Sequence, residues 1–188
     1  MISSTLYREN KKFTLGGRII LELVFKIAVC SLLLAVCYFD YRTYRIPNKI
    51  SLILICLFPI AFVVGGLPVV SAIFPNLEIS AIVQNALLAF IVVTAITLPQ
   101  YILGWMGGGD FKVIMTSSLW VGFHNLQYAT FCMALSGGML AVIYIVLRKQ
   151  KYLSEVSFLK PVFAKTRGVP YGIAISAGVI PTVLGIFN

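Results

Sequence analysis

The sequence predicts an all-α polytopic membrane protein with about six transmembrane helices. Hydrophobic residues fill 60% of the 188 positions and charged residues only 11%, which leaves too little polar surface for a soluble domain. Most of the long apolar runs approach the roughly 20 residues that a helix needs to cross a bilayer. A transmembrane barrel would instead show short segments of alternating hydrophobicity.

Six apolar runs give the predicted helices in chain order. They cover 19–39, 49–66, 81–103, 111–122, 126–147 and 169–187. The run 111–122 is short for a full span and is expected to be partial or tilted, and 67–74 is expected to be an interfacial piece or a helix continuation. The helix count can therefore differ by one. We expect a single membrane-embedded domain over 1–188, with 1–18 as an N-terminal tail.

The first helix is predicted to stay in the protein rather than to be removed as a signal peptide. Its apolar run is longer than an ordinary signal-peptide core, and no A-x-A-like cleavage site follows before Asp40. Arg18, Glu22 and Lys26 recur at four-residue spacing and form one polar stripe at the start of this helix. These side chains either snorkel towards the interface or, for Glu22, contact a substrate.

The distribution of basic residues predicts the topology, because Lys and Arg collect on the cytoplasmic side of a membrane. They occur in the loops after the first run, before the fourth run and over 148–168, whereas the intervening loops carry none. With six spans, Asp40, Asp110 and the 148–168 loop lie on the cytoplasmic side and both termini lie outside. The basic residues of the tail oppose this assignment, and an odd number of spans would move the N-terminus inside.

The net charge of +9 is assigned to contacts with anionic membrane lipids rather than with nucleic acid, because the basic residues flank the apolar runs. The cysteines lie inside apolar runs, with no CxxC pair and no histidine cluster, so we expect packing residues, no metal site and no cofactor. They are Cys30, Cys37, Cys56 and Cys132.

The chain has only two aspartates, Asp40 and Asp110, and each lies where an apolar run meets a short polar loop. Asp40 is expected to end the first helix, ahead of Pro47, which can begin the second. Asp110 follows the glycines 107–109, which permit positive φ and the close approach of another backbone. It is expected at the N-terminus of the fourth helix, where the macrodipole favours a carboxylate that can cap free N–H groups.

Each aspartate taken alone has a structural explanation, in which Asp40 pairs with Arg42 and Asp110 caps a helix. Two carboxylates at the same predicted depth and on the same side of a membrane, however, are costly enough to indicate function. Close carboxylates cannot both ionise cheaply, so one keeps a proton while the other acts as a base. Such a pair suits peptide hydrolysis: one carboxylate activates water and the other assists the carbonyl oxygen and the leaving nitrogen. Which aspartate takes which role stays open.

The glycine-rich block carries a resemblance to a known family. Gly107-Gly108-Gly109-Asp110 fits the GxGD motif of the GxGD aspartyl proteases, and Lys112 follows it as in the prepilin peptidases within that group.

Two further blocks resemble prepilin peptidases in the same order along the chain. Asp40 and Arg42, followed by Ile-Pro-Asn at 46–48, resemble the first-aspartate motif of the family. Tyr171 and Gly172, preceded by Val-Pro, resemble the Pro-Tyr-Gly that opens its last helix. The three blocks together cover most of the chain.

The resemblance implies that Asp40 and Asp110 cleave the leader from type IV pilin or pseudopilin precursors at the cytoplasmic face of a bacterial inner membrane. The missing CxxC domain matches the short Tad/Flp-type form, so methyltransferase activity is not expected. We expect the glycines to let the substrate pass and Lys112 to orient or tune Asp110. Tyr171 is expected to hydrogen-bond near the site, and Gly172 to let the last helix pack closely. The oligomeric state stays open.

Three alternatives differ in specific features. A presenilin-like protease shares GxGD but carries a Pro-Ala-Leu motif near its C-terminus. Residues 169–173 of this chain instead read Val-Pro-Tyr-Gly-Ile. A small proton-coupled transporter would use Asp40 and Asp110 as a proton relay, with its carboxylates expected near the membrane midplane. A non-catalytic scaffold would use both aspartates only as helix caps.

Overall fold

A computed structural model describes residues 2–65, 79–149 and 169–186, and every regular element within these ranges is a helix. The helices are α1 Ile2–Thr43, α2 Asn48–Gly65, α3 Ile79–Ile102, α4 Gly108–Val121, α5 Leu126–Lys149 and α6 Tyr171–Leu184. The predicted all-α fold of a polytopic membrane protein is confirmed. The predicted segment 67–74, the 150–168 part of the basic loop, and the side chains of Arg18 and Glu22 lie outside the description.

Helix α1 differs most from its predicted bounds. It continues back through the segment 1–18, predicted as a tail, to Ile2 and has 42 residues, so it is about 63 Å long, roughly twice the hydrocarbon thickness. Among the described residues, three helical stretches are long and apolar enough to cross a membrane: Leu23–Thr43, Ala81–Ile102 and Leu126–Lys149. Helix α4 has 14 residues, about 21 Å, and is too short to cross alone.

One face of α1 is buried and leads directly to an aspartate. Phe25, Val29, Leu33 and Val36 are buried, and Asp40 continues the same stripe with only 5% of its surface exposed. The spacing of three or four residues places all five on one side of the helix. This side packs against α2 and α6.

Helix α6 packs between its neighbours through small residues. The Ser176 hydroxyl donates to the Leu33 carbonyl of α1 at 3.0 Å. A Cβ added to Gly178 would lie 2.5 Å from the Ala129 carbonyl oxygen of α5. Small residues let helices approach this closely in a membrane, and this packing fixes the start of α6 beside the end of α1.

Helix α4 packs against α2, α3 and α6. The Trp120 side chain is 2% exposed, and its Nε1 donates to the Leu54 carbonyl of α2 at 3.1 Å. Its ring meets Phe58 edge-on at 5.4 Å. A buried indole with a satisfied N–H anchors these two helices to one another.

Candidate active site

Asp40 lies in the last turn of α1 and accepts a hydrogen bond from α6. The Gly172 backbone N–H donates to Asp40 Oδ2 at 2.6 Å. Gly172 belongs to the first turn of α6, where backbone N–H groups have no partner within their own helix and the macrodipole is positive. The Asp40 carboxylate therefore satisfies an otherwise free donor of a second helix and is held there.

Gly172 leaves no room for a side chain at this contact. A Cβ at Gly172 would lie 2.8 Å from Asp40 Oδ2 and 3.0 Å from Val36 Cγ1, so a larger residue would push Asp40 aside. Within α6, the Ser176 hydroxyl hydrogen-bonds the Gly172 carbonyl at 2.8 Å, and the same hydroxyl donates to Leu33 of α1. The first two turns of α6 are thus held against α1.

Arg42 has a different partner from the one considered in the ion-pair alternative. Its Nη1 donates to the Tyr38 hydroxyl at 2.9 Å, and the guanidinium lies 5.8 Å from the centre of the Tyr38 ring. The Asp40 carboxylate instead accepts its hydrogen bond from the Gly172 backbone N–H. The geometry gives no support to a merely structural Asp40–Arg42 pair.

Asp110 lies in the first turn of α4, at the helix N-terminus as expected, although the N-cap residue itself is Gly107. The helix begins at Gly108, and no side chain hydrogen-bonds at this cap. Burial, with a further contribution from the nearby Asp40 carboxylate, raises the pKa of Asp110 to about 7. The two aspartates are therefore close enough to interact electrostatically.

The glycines before Asp110 serve close packing and not a left-handed turn. None of the three has a positive φ, and Gly107 has φ −67°, so the expected use of positive φ is wrong. A Cβ at Gly108 would lie 3.2 Å from Cε2 of Tyr101, and one at Gly109 would lie 3.3 Å from Cβ of Ile46. Side chains, not another backbone, approach these glycines.

A hydrogen bond joins the first-aspartate block to the glycine block. Lys112 Nζ donates to Asn48 Oδ1 at 2.9 Å, beside the contact between Ile46 and Gly109. Sequence reasoning singled out both blocks but missed this contact, since residues 48 and 112 are far apart in the chain. A role of Lys112 in tuning Asp110 stays a prediction.

A cavity of about 600 Å³ lies between α3, α4, α5 and α6, and Asp110, Gly107 and Tyr171 are in its wall. Tyr171 is 52% exposed, and its predicted hydrogen bond near the site stays a prediction. Sequence reasoning missed the cavity, which depends on how four helices diverge. Within the described ranges, no three His, Cys, Asp or Glu side chains are grouped so as to hold a metal ion.

The comparisons with known proteins give one match. The model of the type IV leader peptidase family matches residues 27–142, a stretch that includes both aspartates and the glycine block. No curated protein matches the chain, and no solved structure does. Because the family model covers more than half of the chain, this protein belongs to the type IV leader peptidase family.

Proposed function

We propose that this protein removes the leader from type IV, Flp-like pilin or pseudopilin precursors by a two-aspartate mechanism. Family membership supports a membrane peptidase. The observation that carries the mechanism is the pair Asp40 and Asp110, the only carboxylates among the side chains that the structure describes. The Asp40 carboxylate accepts a hydrogen bond from the N-terminus of α6. Burial and the nearby Asp40 raise the pKa of Asp110 to about 7.

The surroundings of the two aspartates favour different protonation states. Burial disfavours the charge of both carboxyl groups. The Gly172 N–H at the positive end of α6 offsets part of that cost for Asp40. The described residues supply no comparable donor to Asp110, whose pKa is raised to about 7. Asp40 is therefore the carboxylate that acts as base, and Asp110 is the acid.

In the first step, Asp40 takes a proton from a water molecule while the water oxygen attacks the scissile carbonyl carbon. Asp110 gives its proton to the carbonyl oxygen and so stabilises the charge that develops there. In the second step, the carbonyl re-forms as its proton returns to Asp110, the C–N bond breaks, and the leaving nitrogen takes the proton held by Asp40. Water is added across the peptide bond and both carboxyl groups regain their starting states.

The position of the aspartates suits a precursor with a short basic leader followed by a hydrophobic helix. Both carboxylates belong to end turns of helices, Asp40 to the last turn of α1 and Asp110 to the first turn of α4. The scissile bond of such a precursor lies near the membrane boundary. The basic loops support the proposal that this boundary lies on the cytoplasmic side, which for such a precursor is that of a bacterial inner membrane. A proton-coupled transporter, whose carboxylates would lie near the midplane, is not favoured.

Co-expression with a pilin precursor from the same genome tests the proposal. The wild-type protein should remove the leader, and Asp40→Asn and Asp110→Asn should each lower the cleavage rate by about 10³-fold or more. Ser31→Ala, on the exposed side of α1, is the matched control and should cleave normally. Leader removal is followed by mass spectrometry of the pilin, and insertion by membrane fractionation. Cleavage by either inserted aspartate variant at a rate close to that of the wild type would exclude the dyad.

A further inference from the structure

The cavity is built from one face of each of four helices. On α4, Asp110, Ile114, Ser117 and Val121 line it, at the spacing of three or four residues that places side chains on one side of a helix. The lining residues of α3, α5 and α6 follow the same spacing. The cavity therefore extends from the Asp110 carboxyl group along α4, away from the loop that precedes this helix.

The dimensions of the cavity restrict what enters it. Asp110 and Val121 are about 17 Å apart along the helix axis. The cavity has a volume of about 600 Å³. An extended chain, at about 3.4 Å per residue, places about five residues over this length.

The chemistry of the wall suits a peptide with apolar side chains. Apolar residues such as Val93, Ile96 and Ile114 dominate it, and Gln100 of α3, Ser117 of α4 and Thr130 of α5 add polar groups. Ser117 is 2% exposed, and its hydroxyl has no hydrogen-bond partner in the part of the chain that the structure describes. An extended backbone in an apolar site needs such partners for its N–H and C=O groups. A lipid acyl chain needs none.

We infer that this cavity binds, in extended form, the apolar residues of the precursor that follow the scissile bond. The inference rests on the proposed function and names the part of the substrate that lies beside Asp110. The basic leader is not assigned to this cavity, because Asp110 is the only acidic residue in its wall among the residues that the structure describes. A peptide bond must leave its helix to be attacked, since a helical carbonyl is hydrogen-bonded within its own turn. Binding the first apolar residues as an extended strand keeps the bond beside Asp110 accessible.

Filling the cavity tests this assignment. Thr130 lines the cavity and is itself exposed, so Thr130→Trp adds an indole to the cavity wall. Leu135→Trp, at a residue of the same helix that is 65% exposed and is not part of the lining, is the matched control. Thr130→Trp should lower kcat/KM for the natural precursor by about tenfold or more, whereas Leu135→Trp should stay within about twofold. A precursor with alanines at the first five positions after the cut should restore cleavage by Thr130→Trp. Wild-type kcat/KM in Thr130→Trp, or an equal loss on both precursors, overturns the inference.

Photocrosslinking separates this inference from the peptidase proposal. A photoreactive phenylalanine analogue is introduced in place of Thr130 or of Leu135 in the full chain, in membranes that contain the precursor. Crosslinks to the apolar start of the mature pilin from position 130 but not from 135 support the inference, even where the leader is not removed. Crosslinks to phospholipid alone, or to the leader, overturn it, even where cleavage is normal.

Discussion

Asp40 lies in a close-packed contact between α1 and α6, whereas Asp110 lines a cavity between four helices. On the side of Asp40 that faces α6, a backbone N–H at 2.6 Å and the bare Cα of Gly172 leave no room for a side chain. Asp110, in contrast, lines a cavity of about 600 Å³. A base that removes a proton from water benefits from a fixed position. An acid that meets the scissile carbonyl needs space for the substrate beside it.

Among variants that keep both carboxyl groups, the largest effect is expected from disturbing the close-packed side. In Gly172→Ala the new methyl group would lie within 3.0 Å of Asp40 and Val36, so the Asp40 carboxylate must move. A displacement of about 1 Å at a reacting group can cost about 10²-fold in rate. We expect kcat for leader removal to fall by about that factor while the protein still inserts, as measured with the purified enzyme and a pilin precursor.

Gly138→Ala is the matched control for this substitution. A Cβ at Gly138, also within a helix, would meet no atom within 4 Å, so the alanine should leave the rate unchanged and stabilise α5 by up to about 1 kcal/mol. An unchanged rate in Gly172→Ala would show that the position of Asp40 does not limit the reaction.

The pH dependence sharpens the comparison on the side of Asp110. With a pKa of about 7, the protonated fraction of Asp110 falls about tenfold per pH unit above that value, and kcat/KM should fall with it. A carboxyl whose pKa is raised on folding also costs stability as the pH rises from its unfolded value of about 4 through 7. Asp110→Asn should therefore be more stable than wild type at pH 8, although inactive.

Two measurements check this expectation, a pH–rate profile of the wild-type enzyme and the Tm of wild type and Asp110→Asn between pH 5 and about 8. A rate that keeps rising above neutral pH would reverse the roles of the two aspartates. If the Tm difference between wild type and Asp110→Asn does not grow with pH, then ionisation of Asp110 does not destabilise the folded protein.

The helices and the ends at which the aspartates lie could be predicted from local sequence. Apolar runs define α2 to α6 to within a few residues, and the spacing from Phe25 to Val36 extends to Asp40. Residues 2–18 of α1 could not be predicted as helix from the apolar runs. Hydropathy measures affinity for the membrane, whereas polar residues outside the membrane also form helices. The interior pair Gly16-Gly17 further weakens the helical signal of that segment.

The contacts of the site could not be predicted, because they join residues far apart in the chain. Three glycines in a row indicate a turn when only neighbours along the chain are considered. Tyr101 and Ile46, which occupy the space above Gly108 and Gly109, come from other elements. The bond between Gly172 and Asp40 depends in the same way on how α6 packs on α1. Motif spacing singled out the candidate residues, and tertiary packing supplies the contacts between them.

The smallest effect is expected at the bond that joins the two aspartate blocks. Lys112 Nζ and Asn48 Oδ1 are 2.9 Å apart, and a hydrogen bond to an exposed amide contributes about 1 kcal/mol or less. Lys112→Met and Asn48→Ala should each lower kcat/KM by several-fold, and the double variant should lose little more, because both remove the same bond. Lys49→Met removes an equal charge beside Asn48 and should have no such effect.

The same variants distinguish this bond from a direct effect of Lys112 on Asp110. If the ammonium group acted on the Asp110 carboxyl, its loss would raise the pKa of that carboxyl and move the alkaline limb of the rate profile upward in Lys112→Met but not in Asn48→Ala. A bond that only positions α2 against α4 leaves the limb where it is in both variants. Two results together would show that Lys112 acts directly on Asp110 and that Asn48 has a separate role. The losses in kcat/KM would add in the double variant, and the alkaline limb would shift in Lys112→Met.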